Sequence, residues 1–221
     1  MSAPPEPVPT PVRCRVPGAG PDGPRVWALA APAAAPGAPP EARRALARRQ
    51  ARAALRVLLA DACGGAPDSI TLSTEPGQPL RALQWPQLGL SISHERQLSL
   101  LACWPGGDVG VDVVAHDATA STAELQRVAQ IYLGQEMASE KAPVAVHPSF
   151  HAPDFRVFAE AWARHEAGLK CLHLPLTEWT PALAARLAGV RAAAVELPAW
   201  AAAHCSAAVA WRAAAPSAAN A

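Results

Sequence analysis

The spacing of apolar residues changes period several times along the chain, and each change marks an element. Arg25–Ala31, RVWALAA, is a short apolar run that predicts a first strand. Glu41–Cys63, EARRALARRQARAALRVLLADAC, is rich in helix formers and stops at Gly64–Gly65, which predicts a long helix. Leu46, Ala53, Leu55, Leu58 and Leu59 give it one apolar stripe, and Arg43, Arg44, Arg48, Arg49, Arg52 and Arg56 gather elsewhere on its surface. SITLSTEPGQPL (Ser69–Leu80) predicts a strand entering a Pro-Gly turn. LGLSISHE and LSLLACW read as strands, and the PGGD turn predicts that the second forms a hairpin with VGVDVVA (Val109–Ala115). Helical spacing returns at Ser121–Leu133 and again in FRVFAEAWARHEAGLKCL, with an irregular connection between. AAAVELP and HCSAAVAW close the pattern as two weaker strands. The order predicts an α+β fold of two halves, each a small antiparallel sheet packed with a long helix.

Composition adds boundaries. The first 24 residues are rich in Pro and Gly and predict a disordered N-terminus; residues 25–117 make an N-terminal half, 118–211 a C-terminal half and 212–221 a loose tail. A net charge of +1 over 221 residues argues against nucleic acid as a partner. No apolar run is long enough to span a membrane, and the start of the chain lacks a signal-peptide pattern. The five scattered cysteines form neither a zinc motif nor a disulfide framework and read as reduced thiols of a cytoplasmic protein. The bias toward Ala, Pro and Arg suits a GC-rich bacterial coding sequence.

One residue breaks the pattern of the valine strand. Asp112 puts a carboxylate inside it, and a buried charge needs a partner. On the helix FRVFAEAWARHEAGLK, Phe155, Phe158, Trp162 and Leu169 form the apolar stripe, yet Glu166 follows Trp162 by one turn and Lys170 follows Glu166 by another. Two arrangements satisfy these charges. In one, Glu166 pairs with Lys170 and Asp112 bonds to neighbouring backbone. In the other, Asp112 and Glu166 share a hard divalent cation whose remaining ligands are water and phosphate, with Lys170 facing the same phosphates. Ser93 and His94, at the end of a strand, are natural anion contacts beside such a site.

ISH (Ile92–His94), GVDV (Gly110–Val113) and WARHEAGLK (Trp162–Lys170), in this order, resemble the motifs of the Sfp-type 4′-phosphopantetheinyl transferases. EPGQP stands where that family has a Gly-Lys-Pro turn, YLGQE (Tyr132–Glu136) resembles its Phe-x-x-x-Glu segment, and LPL (Leu174–Leu176) resembles the strand after its catalytic helix. The resemblance implies a monomer of two pseudo-symmetric halves with coenzyme A and Mg²⁺ between them. It implies transfer of the phosphopantetheine arm to a serine of an apo acyl or peptidyl carrier protein, releasing 3′,5′-ADP. Asp112 and Glu166 would hold Mg²⁺, Glu166 would take the serine proton, and Lys170 would neutralise phosphate charge. Asp112, Glu166 and Lys170 are thus the catalytic set. Ser93, His94 and Gln78 would lie along coenzyme A, with Arg48 and Arg52 at its 3′-phosphate.

The chain also departs from the family. Val114 stands where many relatives carry a second acid, His165 replaces a lysine, Gln78 replaces the lysine of the turn, and the Gly-x-Gly turn after Lys170 is missing. Those departures keep a second reading open, a relative that binds coenzyme A or carrier protein without transfer.

Overall fold

The computed structural model describes residues 9–32, 37–73, 75, 78–116, 120–134 and 155–214. Among these residues the chain is a mixed α+β protein with two antiparallel sheets and five α-helices. Strands β1 (Val12–Cys14), β2 (Arg25–Ala30), β3 (Gly89–His94) and β4 (Leu98–Trp104) build the first sheet in the order β1-β2-β4-β3. Strands β5 (Gly107–Ala115), β6 (Arg191–Ala194) and β7 (Cys205–Ala213) build the second in the order β5-β7-β6. Helix α1 (Pro40–Cys63) covers the first sheet and α3 (Phe155–Cys171) the second; α2 (Thr122–Tyr132), α4 (Pro181–Leu187) and α5 (Ala199–Ala202) are shorter.

Side-chain alternation explains the packing. On β4, Leu101 and Cys103 face α1, against Leu55, Leu59 and Ala54. Leu98, Leu100, Ala102 and Trp104 face the other way, into a core that takes in Val109, Val111 and Val113 of β5 and Val209 and Trp211 of β7. That core crosses from one sheet to the other. Burying each of these Val and Leu side chains contributes about 1.5–3 kcal/mol, so the shared core joins the sheets firmly.

Several sequence expectations are corrected here. The N-terminus is not wholly disordered: β1 pairs antiparallel with β2, Arg13 opposite Trp27, and Arg13 lies over that indole at 4.9 Å. Residues 1–8 lie outside the described residues. The PGGD turn makes no hairpin. Pro105–Gly106 instead carries the chain from one sheet to the next, and β5 pairs along its whole length with β7, Val111 opposite Val209. The strand with Asp112 therefore belongs with the C-terminal strands, although the sequence grouped it with the N-terminal half. Ser69–Ser73 follows a 3₁₀ turn (Pro67–Ser69) and makes only an isolated bridge, Leu72 to Ala82, rather than a strand; Thr74, Pro76 and Gly77 lie outside the described residues, and Leu174–Leu176 is not a strand. Residues 212 and 213 of the expected loose tail belong to β7, which runs through Ala213, and residues 215–221 lie outside the described residues. Glu136 and the irregular connection fall outside the described residues, apart from Gly134 at its start.

Candidate functional site

Strands β3 and β5 are edges of their sheets, and they lie side by side without a shared ladder. An unpaired strand edge leaves backbone polar groups to satisfy. Side chains do this work at Val111. Its N–H donates to Ser91 Oγ at 3.0 Å, and its carbonyl accepts from Lys170 Nζ at 3.3 Å. The sequence named Ser93 but not Ser91; its signal was a serine at every second position of a strand, on the face away from Leu90 and Ile92.

On the outer face of β5, Gly110 brings α3 close. A Cβ there would stand 2.1 Å from the Ala167 carbonyl oxygen and 2.5 Å from the Cys171 nitrogen. The facing stripe of α3 is small for the same reason, with Ala163, Ala167 and Cys171 buried against Ala208 and Ala210 of β7. The expected stripe of Phe155, Phe158, Trp162 and Leu169 is only partly right, since Phe155 and Trp162 are half-buried. The near approach delivers Lys170 to Asp112, two residues beyond Gly110 on the same face.

Lys170 Nζ donates to Asp112 Oδ1 at 2.6 Å and to Ser93 Oγ at 3.1 Å, and Ser93 Oγ donates to the same Oδ1 at 2.7 Å. The Asp112 side chain is 6% exposed and that of Lys170 34%. This ion pair corrects the first of the two arrangements expected from the sequence. Lys170 does not pair with Glu166, and Asp112 does not bond to backbone. Both contacts to Asp112 fall on Oδ1; Oδ2 has none among the described residues.

Glu166 is held differently. Its Oε1 accepts from Trp162 Nε1 at 3.1 Å, and Trp162 is braced by stacking on Phe158 and by the edge of Tyr132, each with ring centroids 5.6 Å apart. Burial first, and then the charge of Asp112, push the Glu166 carboxyl above the ordinary carboxylate range, while Lys170 and the indole oppose them. Trp162 and Tyr132 thus orient the acid, a role their apolar spacing concealed.

Asp112, Glu166, Lys170, Ser93 and His94 line one cleft of about 710 Å³ between α1 and α3. Arg43, Arg44 and Arg48 of α1 line it too, with Glu95, Arg96, Val114 and Trp162. Five cationic side chains face three carboxylates there, so the lining is net positive. His94 Nδ1 bonds Ser99 Oγ at 2.8 Å, and burial, aided by Arg48, Lys170 and Arg52, pushes its pKa down to about 4. The imidazole is therefore neutral near pH 7, and as an anion contact it offers a hydrogen bond rather than a charge. Arg52 and Gln78 do not line the cleft. Arg52 donates to the Ser73 carbonyl at 2.8 Å, while Gln78 is exposed. The arginine register is thus a turn earlier than expected, with Arg43 and Arg44 in place of Arg52.

The lost glycine turn after α3 is replaced by His173, whose φ of 56° ends the helix in the left-handed region. Leu174 N–H then closes on the Leu169 carbonyl at 2.9 Å. His165 is half-buried, its Nε2 has no partner among the described residues, and burial lowers its pKa.

Two acids with one untethered oxygen each, near enough that one charge disfavours the other, suit a hard divalent cation that keeps water and phosphate ligands. Among the described residues no group of three or more His, Cys, Asp or Glu side chains is set to hold a metal. No described helix is long and apolar enough to cross a membrane. No family model matches the chain and no curated protein matches it, so what the cleft does has to be argued from its own residues.

Proposed function

We propose that the chain is a Mg²⁺-dependent transferase that moves the 4′-phosphopantetheine arm of coenzyme A to a serine of an apo acyl or peptidyl carrier protein. The observation that carries this reading is the single cleft in which Asp112, Glu166 and Lys170 meet an arginine-lined wall from α1. The motifs that resemble the Sfp-type 4′-phosphopantetheinyl transferases supply precisely these acids and this lysine, and the two sheet-and-long-helix units accord with that family's paired halves. A cytoplasmic monomer is the setting that goes with it.

Arg43, Arg44, Arg48 and Arg96 bind the nucleotide phosphates, since guanidinium groups pair well with phosphate oxygens. Ser93 and His94 add neutral hydrogen bonds. Asp112 and Glu166 would hold magnesium, which when bound supplies charge neutralisation at the diphosphate. The carrier serine forms a bond to the phosphorus of the pantetheine phosphate, and the phosphorus–oxygen bond to 3′,5′-ADP breaks. Glu166 takes the serine proton, a task its raised pKa suits. Lys170 stabilises charge gathering on the leaving phosphate.

One observation favours a second reading, a relative that binds coenzyme A or carrier protein without transfer: the ammonium of Lys170 is fully engaged inside the protein, by Asp112, Ser93 and Val111. Intact-mass spectrometry of an apo carrier protein incubated with this chain, coenzyme A and Mg²⁺ separates the two. A phosphopantetheine mass gain that disappears with EDTA is expected. No gain across several carrier types, from folded protein, would overturn the transferase reading in favour of the binding one.

A further inference from the structure

We infer that Lys170 is a resident cation that occupies Asp112 until a polyanion enters the cleft, so that divalent metal and nucleotide bind as a coupled pair. The inference rests on the transferase reading for the identity of the polyanion. Its physical basis is the geometry of the ammonium.

Lys170 Nζ has three N–H donors and three acceptors within reach: Asp112 Oδ1 at 2.6 Å, Ser93 Oγ at 3.1 Å and the Val111 carbonyl at 3.3 Å. In the ligand-free protein this tripod compensates a carboxylate that is almost wholly buried. It also puts a positive charge against one of the two acids that suit a metal. A divalent ion arriving alone meets that ammonium, together with Arg43, Arg44, Arg48 and Arg96 on the same walls. Like charges at such range repel strongly where water is scarce.

A diphosphate reverses the balance. It offsets the arginines and offers the ammonium new acceptors. Lys170 is one third exposed on a flexible four-carbon stem, so its head can swing from Asp112 toward the cleft without moving α3. Asp112 is then an unpaired buried carboxylate, and a divalent ion is the natural replacement. By linkage, whatever the nucleotide does for the metal, the metal does for the nucleotide.

The test is electron paramagnetic resonance of free Mn²⁺ with the full chain, with and without coenzyme A, corrected for Mn²⁺ bound by coenzyme A alone. In the wild type, coenzyme A is expected to tighten Mn²⁺ binding by about tenfold or more. Lys170→Gln keeps a hydrogen-bond donor but no charge; it is expected to bind Mn²⁺ alone about tenfold tighter than the wild type does, with most of the coupling gone. Lys170→Arg keeps the charge and the nucleotide dependence. If Lys170→Gln binds Mn²⁺ alone no better than the wild type while wild-type coupling persists, the handover is wrong and the transferase reading stands. If no folded protein binds Mn²⁺ even with coenzyme A, both fall. Should the variant fail to fold, the wild type decides: Mn²⁺ affinity indifferent to coenzyme A overturns the handover.

Discussion

Two aspartates sit on the outer face of β5, four residues apart, and they have opposite surroundings. Asp108 is saturated. Its Oδ1 accepts from Arg81 Nη2 at 3.1 Å and His173 Nε2 at 2.9 Å, and its Oδ2 accepts from Arg212 Nη2 at 2.9 Å. Burial works against that charge, but the hydrogen bonds from Arg212, His173 and Arg81 prevail and hold its pKa at about 2. Asp112 is more deeply buried yet has only one oxygen engaged. A carboxylate satisfied on both oxygens by three segments is a staple. One satisfied on a single oxygen, at the wall of a cleft, retains capacity for a ligand. Asp108 also fixes the end of α3 through His173, and Lys170 lies one turn before it, so the staple sets the register of the site.

The sharpest way to break this comparison is to neutralise each acid in turn. Asp112→Asn is expected to cut carrier modification at least about 100-fold by intact-mass assay, with the fold retained. Asp108→Asn should keep modification within about tenfold and cost about 1–2 kcal/mol after discounting for partial exposure. For a chain of this size that is a fall in Tm of roughly 2–8 °C by calorimetry. The sign with pH follows from a folded-state pKa below the ordinary 3.8. The stabilisation is complete above about pH 4 and is lost as pH falls through about 2, so the wild type, but not Asp108→Asn, should show that part of the acid transition. Equal activity losses in the two variants would dissolve the distinction.

Gly110, between the two aspartates, tests the approach of α3. Its Cβ in Gly110→Ala would meet backbone atoms of α3 that cannot move alone, at a cost of about 1–3 kcal/mol. Transfer and Tm should fall together. An unchanged Tm would mean that α3 has room to spare. The smallest effect concerns the arginines. Arg48→Ala should raise KM for coenzyme A about tenfold, while Arg52→Ala leaves KM alone and lowers Tm. The reverse result would restore the expected register of α1.

These contrasts also mark what the sequence discloses. The two long helices are legible because their signals are local: helix formers in Glu41–Cys63 and a spaced apolar stripe in α3. The acids are legible because Asp112 and Glu166 stand where apolar residues belong. What escapes is any feature made by two distant segments. The PGGD turn looks like a hairpin at short range, but the partner of β5 lies at the other end of the chain. Val12–Cys14 alternates apolar and charged residues, but over too short a run between prolines to read as a strand until β2 offers it an edge. The Lys170–Asp112 contact depends on how closely α3 rides on β5, for which Gly110 was the one available sign. Arg52 and Arg48 are adjacent turns of one helix, and only the loop carbonyl of Ser73 separates their roles.

The pairing of β5 with β7 has a consequence for the order of synthesis. Val111 faces Val209, about 100 residues later in the chain. At a ribosomal pace of about 5–20 residues per second, the first sheet can be complete for about 5–20 seconds before the ribosome delivers the strand that β5 needs. During that interval the valine-rich strand waits beside β3 with its outer edge unpaired. The wall of the cleft that β5 supplies is therefore completed only after β7 has been made, later than every strand of the first sheet.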